Sequence, residues 1–421
     1  MRLLNTTTLK LHEFFEKDTP HYMILSHRWE NDEVTFQDVK KGRNLDAAGW
    51  QKVRAFCKFA RELQYEWAWV DTCCIDKRSS AELSEAINSM YTWYEKASVC
   101  IAYLCDVSCQ LEEIWMAKEI QEDGNVIVNT EQAQLSQRTI CELRESEWFT
   151  RGWTLQELIA PRHVVFLDNN WRPFGSKSTL SKLVSDITGI EKLAILYLDM
   201  ESVATKMSWA SKRICTRSED QAYSLMGIFD VNMPLLYGEG GKKAFLRLQL
   251  EILKNSDDES IFAWCSPPEE HLGGIGGMLA DTALNFLRSS QIRPFRPIAK
   301  RAPYSMTNKG LEIETVLLAT RLNAQSIAYV PLNCARTGEN LPIAIPLLCY
   351  SPGIYVRYLG GDSLLRWPTE QEVEEQDHYS SHRILIPQDL RVFWNQDRIR
   401  EEFPDEVWAS LRAAMTRILP T

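Results

Sequence analysis

The chain has 421 residues. Because a single hydrophobic core rarely extends past about 300 residues, about two to four domains are expected. The formal net charge of −10 excludes general nucleic-acid binding through a basic surface. No run of about 18 apolar residues is present, and the start MRLLNTTTLKLHEFF lacks the apolar core of a signal peptide. The eleven cysteines are therefore expected to be reduced thiols in a cytoplasmic protein that does not enter a membrane.

The first 175 residues alternate between apolar runs that are typical of buried strands and patterns with helical spacing. Strands are predicted at YMILSH (22–27), EWAWVDTCCID (66–76), SVCIAYL (98–104) and HVVFLD (163–168). One helix is predicted at residues 49–65 and another at residues 148–161. Between them, a capping box formed by Ser79 and Glu82 predicts the start of a further helix. This alternation predicts an α/β fold, a mostly parallel sheet of at least four strands with flanking helices.

The pattern changes twice further along the chain. Residues 176–264 are predicted to be a helical extension of the α/β domain, which spans residues 1–175. Behind residue 265, prolines become frequent, and apolar runs such as PIAIPLLCY alternate with turns. A smaller β-rich C-terminal domain is therefore predicted at residues 265–421.

Ligands of parallel sheets bind beyond the carboxyl ends of the strands. The polar and aromatic residues at the ends of the first two predicted strands are Ser26, His27, Arg28, Trp29 and Asp71. The helix predicted in the stretch WFTRGWTLQELIAP adds a carboxylate, Glu157, one helical turn from Trp153. A carboxylate can stabilise an oxocarbenium ion in glycosidic cleavage, and a neighbouring tryptophan offers a flat surface to a base. We expect Glu157 to be partly exposed, and Glu85, on the polar side of its own helix, to face water.

Other kinds of site have weaker support. No CxxC pair exists, so no metal site is predicted. The glycine-rich segments 237–245 and 273–278 do not have the spacing of phosphate-binding loops and are interpreted as turns. Cys73 or Cys74, activated by His27, is a candidate nucleophile, but adjacent cysteines at a strand end are more often packing residues.

Several long stretches, in order, resemble the fungal heterokaryon incompatibility (HET) domain: YMILSHRW, WVDTCCIDKRSSAELSEAINSMYTWYEKASVCIAYL and WFTRGWTLQELIAP. The stretch SEDQAYSLMGIFDVNMPLLYGEGGKKAFLRLQ is similar to the helical region that commonly follows this domain. The resemblance covers roughly residues 20–265. Arg28 and Glu30 replace smaller residues in the loop after the first strand.

The resemblance implies a cell-death effector of vegetative incompatibility. HET domains are regarded as distant relatives of TIR domains, many of which cleave NAD, so a TIR-like, flavodoxin-like fold is implied. WTLQEL parallels the TIR helix with the catalytic glutamate, which corresponds to Glu157. The implied enzyme is an NAD glycohydrolase that takes NAD as substrate without a further cofactor, with Ser26, His27, Arg28, Trp29, Asp71 and Trp153 binding it. Self-association and an incompatibility or receptor protein partner are also implied. The alternative is a non-catalytic adaptor that assembles through the same domain.

Overall fold

The computed structural model describes residues 1–109, 116–120, 126–130, 135–196, 201–266, 275–295, 302–322, 325–359 and 381–388. The chain divides into two compact units. The first unit consists of Met1–Met200 and Arg213–Gly241, and the second consists of Glu201–Lys212 and Lys242–Thr421. Part of the predicted helical extension therefore packs within the first unit. The three-domain division predicted from the sequence stays a prediction.

The strands and helices are numbered in chain order. The strands are β1 (Arg2–Asn5), β2 (Leu11–Glu13), β3 (Tyr22–His27), β4 (Trp67–Trp69), β5 (Val99–Tyr103), β6 (Met116–Ile120), β7 (Val126–Thr130), β8 (Val164–Leu167), β9 (Pro173–Ser176), β10 (Ile275–Gly276), β11 (Ile292–Pro294), β12 (Ser305–Thr307), β13 (Gly310–Val316), β14 (Leu318–Leu322), β15 (Gln325–Arg336), β16 (Pro342–Ser351), β17 (Ile354–Tyr358) and β18 (Ser381–Ile386). The α-helices are α1 (Phe36–Lys41), α2 (Ala48–Glu62), α3 (Asp71–Cys74), α4 (Ser80–Lys96), α5 (Gln137–Glu145), α6 (Thr154–Ile159), α7 (Ser181–Thr188), α8 (Lys192–Leu196), α9 (Val203–Ala210), α10 (Asp220–Tyr223) and α11 (Gly241–Asn255). Short 3-10 helices lie at Glu16–Asp18, Glu147–Thr150, Gly227–Phe229, Glu259–Phe262 and Ala283–Phe286.

The first unit contains a seven-stranded sheet in the order β2-β1-β4-β3-β5-β8-β9. Strands β4, β3, β5 and β8 are parallel, and the outer strands β1, β2 and β9 pair antiparallel. Counted along the chain, the parallel strands stand in the order 2-1-3-4, which is that of the first strands of flavodoxin-like sheets. The predicted mixed α/β architecture with a mostly parallel centre is confirmed.

Burial explains why these segments became strands and helices. All six residues of β3 are buried, because the strand lies between β4 and β5 in the middle of the sheet. In α2 the apolar stripe at helical spacing is buried as predicted, and its members include Val53, Phe56 and Phe59. Helix α4 begins where the capping residue was expected, since the Ser79 hydroxyl accepts a hydrogen bond from the backbone N–H of Glu82.

The second predicted strand, at residues 66–76, is too long. The strand β4 ends at Trp69, and Asp71 opens the short helix α3. The backbone N–H groups of Cys73 and Cys74 both donate to the carbonyl of Val70, at 3.2 and 2.8 Å, which closes a helical turn. Asp71 therefore stands at a strand-to-helix junction.

The single helix predicted at residues 148–161 is also wrong, because the structure breaks it into a 3-10 turn and α6. At the break, the backbone pairs with a distant segment: Ile214 N donates to Thr150 O at 2.7 Å, and Gly152 N donates to Ile214 O at 3.0 Å. A Cβ atom on Gly152 would lie 2.2 Å from the Cys215 sulfur, so only glycine allows this close approach. The helical pattern is interrupted by long-range pairing that local sequence does not reveal.

The second unit is rich in β-structure, as predicted for the C-terminal region. Its sheet of nine strands contains the path β11-β15-β16-β17-β18-β13-β12, and β10 and β14 pair beside it. Leu318, Ile327, Tyr329, Leu348 and Val356 form a buried cluster on this sheet. Residues 360–380 and 389–421 of the predicted domain lie outside the described residues. No described helix is long and apolar enough to cross a membrane.

Candidate functional site

A cavity of about 280 Å³ lies within the first unit, beyond the carboxyl ends of β3 and β4. One wall is formed by residues that follow these two strands, one by α4, and one by the segments around Trp153 and Tyr237. Its charged or polar lining residues are His27, Asp71, Lys77, Arg151, Thr154, Glu157, Thr216, Arg217 and Asp220. Its apolar and aromatic lining residues are Trp29, Ile75, Leu83, Ile87, Met90, Tyr94, Trp153 and Tyr237.

Glu157 is the most buried carboxyl group of the cavity wall, with 7% of the residue exposed. The Ser26 hydroxyl donates a hydrogen bond to its Oε2. That hydroxyl in turn accepts a hydrogen bond of 2.9 Å from the indole N–H of Trp148. Ser26 and Trp148 are themselves buried, so the carboxyl is held by an ordered chain of two hydrogen bonds.

Burial decides the protonation state of this carboxyl group. The hydroxyl of Tyr94 donates to the carbonyl of Leu25 at 3.1 Å, and its interaction with Glu157 favours the ionised carboxylate. Burial raises the pKa of Glu157 to about 8, against the opposing effects of Ser26, Tyr94 and Arg151.

The wall that follows β3 and β4 carries a network of paired charges. Asp71 accepts a hydrogen bond of 2.8 Å from the Trp29 indole N–H and lies 3.6 Å from the Lys77 ammonium group. That ammonium group sits over the Trp29 ring, 3.3 Å from its centre. His27 lies between Asp71 and Glu33, at 3.9 and 3.7 Å. One face of the Trp29 ring is thus covered by a cation.

The opposite wall is built around Asp220. Its carboxylate accepts a hydrogen bond of 2.9 Å from the Tyr237 hydroxyl and one from Trp153. Burial raises the pKa of Asp220. The Arg217 guanidinium lies over the Tyr237 ring, 4.3 Å from its centre. Arg151, next to the break before α6, completes this side of the cavity.

The structure brings most of the predicted site residues together. Glu157, His27, Trp29, Asp71 and Trp153 all line the cavity. Two others do not line it. Ser26 is fully buried and contacts Glu157, and Arg28 forms an ion pair of 2.6 Å with Glu147. The catalytic and binding roles assigned to these residues stay predictions.

Sequence reasoning from strand ends missed Arg151, Thr216, Arg217, Asp220 and Tyr237. Four of these belong to residues 213–241, which join the first unit only through long-range contacts. A signal was nevertheless present, because SEDQAYSLMGIFDVNMPLLYGEGGKKAFLRLQ resembles the region that follows HET domains, and a segment of this kind can complete a site.

Cys73 and Cys74 are buried and do not line the cavity. The pKa of the Cys73 thiol is raised well above its ordinary value by its hydrogen bond with Cys74 and by burial. The carboxylates of Asp71 and Glu33 are the groups that flank His27 in the ion-pair network. A thiolate nucleophile is therefore disfavoured at this position. Among the described residues, no group of His, Cys, Asp or Glu is arranged to hold a metal ion.

The C-terminus of α6, the helix with Glu157, is fixed by a buried lysine. The Lys177 ammonium group donates to the carbonyls of Ile159 and Pro161, at 3.0 and 2.8 Å. Burial lowers the pKa of Lys177 to about 8. A cation at the end of a helix satisfies carbonyl groups that have no partner within the helix, so this contact stabilises the helix that places the carboxyl.

The amino-acid sequence is similar to a known family and to a known protein. Residues 22–157 match the family model described as Heterokaryon incompatibility protein (HET). The Vegetative incompatibility protein HET-E-1 of Podospora anserina is 42% identical over 240 residues, which is 56% of this chain and 16% of that relative. The chain thus spans about a sixth of the length of the curated relative it matches. No solved structure matches the chain significantly. The family match ends at Glu157, so Arg217, Asp220 and Tyr237 lie beyond it.

Proposed function

We propose that the chain acts as a cell-death effector of vegetative incompatibility that hydrolyses NAD at the nicotinamide–ribose bond, because residues 22–157 match the HET family model and the chain is similar to a vegetative incompatibility protein. The observation that carries this proposal is the placement of Glu157, a buried carboxyl group on the wall of a cavity beyond the carboxyl ends of parallel strands. A TIR-like arrangement is part of the proposal, and the strand order 2-1-3-4 supports it.

The chemistry requires a group that stabilises positive charge at the sugar. The bond between the ribose C1′ and the nicotinamide nitrogen breaks, and its electron pair leaves with the nicotinamide, which becomes neutral. The ribose then carries oxocarbenium character, which an ionised carboxylate stabilises. Water adds to C1′ and loses a proton, so that the products are ADP-ribose, nicotinamide and one proton.

The raised pKa of Glu157 suits a cationic substrate. A positive charge near a carboxyl group favours its ionised form. The positively charged nicotinamide ring of NAD, placed beside Glu157, would thus lower the pKa of the carboxyl from its value of about 8. Ser26 remains as a hydrogen-bond donor to the resulting carboxylate. Substrate binding itself would generate the catalytic form.

Nicotinamide release by the purified chain, with NAD as substrate, tests the proposal. Glu157→Gln keeps the size of the side chain and removes its charge, and we expect it to reduce the rate by about 10²–10³. The matched control is Glu85→Gln, because Glu85 is exposed on α4, as predicted, and does not line the cavity. Equal rates in the wild type and Glu157→Gln would contradict the proposal.

The competing proposal is a non-catalytic adaptor that self-associates through the same domain and contacts an incompatibility or receptor protein. Expression of the two variants in cells distinguishes the proposals. The enzyme is expected to lose both killing and NAD depletion with Glu157→Gln and to keep both with Glu85→Gln. Full killing by Glu157→Gln with cellular NAD unchanged would favour the adaptor.

A further inference from the structure

Two guanidinium groups at the cavity lie beyond ion-pair distance from every carboxylate of the described residues. Arg151 and Arg217 both line it, and neither forms an ion pair within the described part of the chain. Lys77, by contrast, is paired with Asp71 at 3.6 Å. The Asp220 carboxylate attracts Arg217 and accepts hydrogen bonds from Tyr237 and Trp153. This side of the cavity therefore has an excess of positive charge, because two guanidinium groups stand against the one carboxylate of Asp220.

Arg217 is held in an orientation that suits recognition of a planar or tetrahedral anion. Its guanidinium lies over the Tyr237 ring, 4.3 Å from its centre, and the residue is exposed to solvent. A guanidinium that lies over a ring keeps N–H donors available, and this fork of donors matches the oxygens of a phosphate group. Less ordering is then needed when a ligand binds.

The loop that supplies the stacking ring is itself fixed. The Glu219 carboxylate accepts hydrogen bonds from the backbone N–H groups of Gly238 and Gly240, at 2.8 and 3.2 Å. The hydroxyl of Tyr223 donates to Glu239 at 2.9 Å. Tyr237 is therefore anchored at both its hydroxyl and its backbone neighbours, and Arg217 has a rigid support.

We propose that Arg151 and Arg217 form a phosphate subsite at the solvent side of the cavity, so that the ligand is a phosphate-bearing nucleotide with its sugar directed towards the buried Glu157. The phosphate subsite follows from the two arginines, whereas the assignment of the sugar end rests on the proposed function. Arg151 lies inside the family match at 22–157, whereas Arg217 and the supporting Tyr237 lie beyond it. The family segment alone thus lacks one half of the site.

Binding of ADP-ribose to the full chain, measured by calorimetry, tests this subsite without any turnover. We expect Arg217→Ala to weaken ADP-ribose binding by about 10-fold to 100-fold, the effect of losing charge-assisted hydrogen bonds. Arg217→Lys, which keeps the charge and loses the fork, should fall between the wild type and Arg217→Ala. Arg151→Ala should also weaken binding. Nicotinamide riboside, which has no phosphate, should bind the wild type and Arg217→Ala equally.

Arg162→Ala is the matched control, because Arg162 is an exposed arginine of the same unit that does not line the cavity. It should bind ADP-ribose as the wild type does. Raising the salt concentration should weaken ADP-ribose binding more in the wild type than in Arg217→Ala. Since Arg217 is exposed, its replacement should leave thermal unfolding nearly unchanged, so that weaker binding cannot be ascribed to misfolding.

Equal affinity of the wild type and Arg217→Ala for ADP-ribose would overturn the subsite, as would absence of binding to the wild type. The subsite and the proposed function fail separately. Binding that depends on Arg217 without nicotinamide release from NAD would refute the hydrolase and support the subsite. Nicotinamide release with the same KM for NAD in the wild type and Arg217→Ala would refute the subsite alone.

Discussion

Ser26 donates a hydrogen bond to the carboxyl of Glu157, a residue 131 positions further along the chain. This contact joins the end of β3 to α6 and holds the carboxyl group in a buried position. The same hydroxyl accepts a hydrogen bond from Trp148. Ser26 therefore acts on the cavity through Glu157, and its predicted role is better described as positioning.

Ser26→Ala should shift the pH dependence of activity to higher pH. The hydrogen bond from Ser26 favours the ionised form of Glu157, so its loss raises the pKa of that carboxyl further. The rate of nicotinamide release as a function of pH measures the shift. The variant also leaves the buried indole N–H of Trp148 without its partner, which should cost about 1–3 kcal/mol of the free energy of unfolding. An unchanged pH profile would show that Ser26 has only a structural role.

Glu157→Gln should stabilise the protein relative to the wild type as pH rises, because Glu157 is buried and not partly exposed as the sequence predicted. Burial raises the pKa of Glu157 from 4.5 to about 8 in the folded state. Below pH 4.5 the group is protonated in both states and the carboxyl causes no pH dependence. Between these values the unfolded state ionises first, so stability falls with rising pH, by roughly 1.4 kcal/mol per pH unit. Above about pH 8 the loss is complete.

Chemical denaturation of both proteins from pH 4 to pH 9 measures this difference. The gap in unfolding free energy between Glu157→Gln and the wild type should move in favour of the variant by several kcal/mol, on the order of 5, across the interval. Glu85→Gln, at an exposed position on α4, should show no such trend. A gap that is constant with pH would mean that the pKa of Glu157 is the same in the folded and the unfolded protein.

Replacing Cys73 and Cys74 together with alanine should leave the rate of nicotinamide release within about tenfold of the wild type. A tenfold change in rate corresponds to a change of roughly 1.4 kcal/mol in the activation barrier. Both thiols are buried outside the cavity, so they pack α3 without facing a ligand. Alanine avoids the unsatisfied hydroxyl groups that serine would bury. Loss of all activity in a variant that still unfolds cooperatively would instead support a cysteine nucleophile.

The central strands and helices of the first unit were predictable, because the apolar patterns that indicate them lie within short stretches of sequence. The buried strands β3, β5 and β8 are continuous apolar runs, and the apolar stripes of α2 and α4 repeat at helical spacing. The position of Glu157 near the ends of the parallel strands followed from these elements. Edge strands such as β1 and β2 were missed, since they are short and only partly apolar.

The second wall of the cavity was not predictable from such signals. Arg217 and Tyr237 reach the site because the backbone of Ile214 pairs with Thr150 and Gly152. This pairing also ends the 3-10 turn before α6 and places Arg151 and Trp153. The pairing joins segments about sixty residues apart in the sequence. Helix and strand patterns within each segment therefore do not predict it.

Gly152→Ala should disrupt this pairing. The added methyl group would lie 2.2 Å from the Cys215 sulfur, and its next neighbour, the Ser224 hydroxyl, would be 3.3 Å away. Overpacking of this kind costs about 1–3 kcal/mol of the free energy of unfolding, and the accompanying backbone shift would displace Arg151 and Trp153 from the cavity. We expect lower stability and at least about tenfold slower nicotinamide release, because positioning errors of about 1 Å reduce rates strongly.

Cys215→Ala removes the sulfur atom, so the double variant Gly152→Ala with Cys215→Ala should recover most of both losses. Cys215→Ala alone is the control for the cavity that the missing sulfur leaves. If the double variant were as unstable and as slow as Gly152→Ala, the contact with Cys215 would not be the reason for glycine at this position.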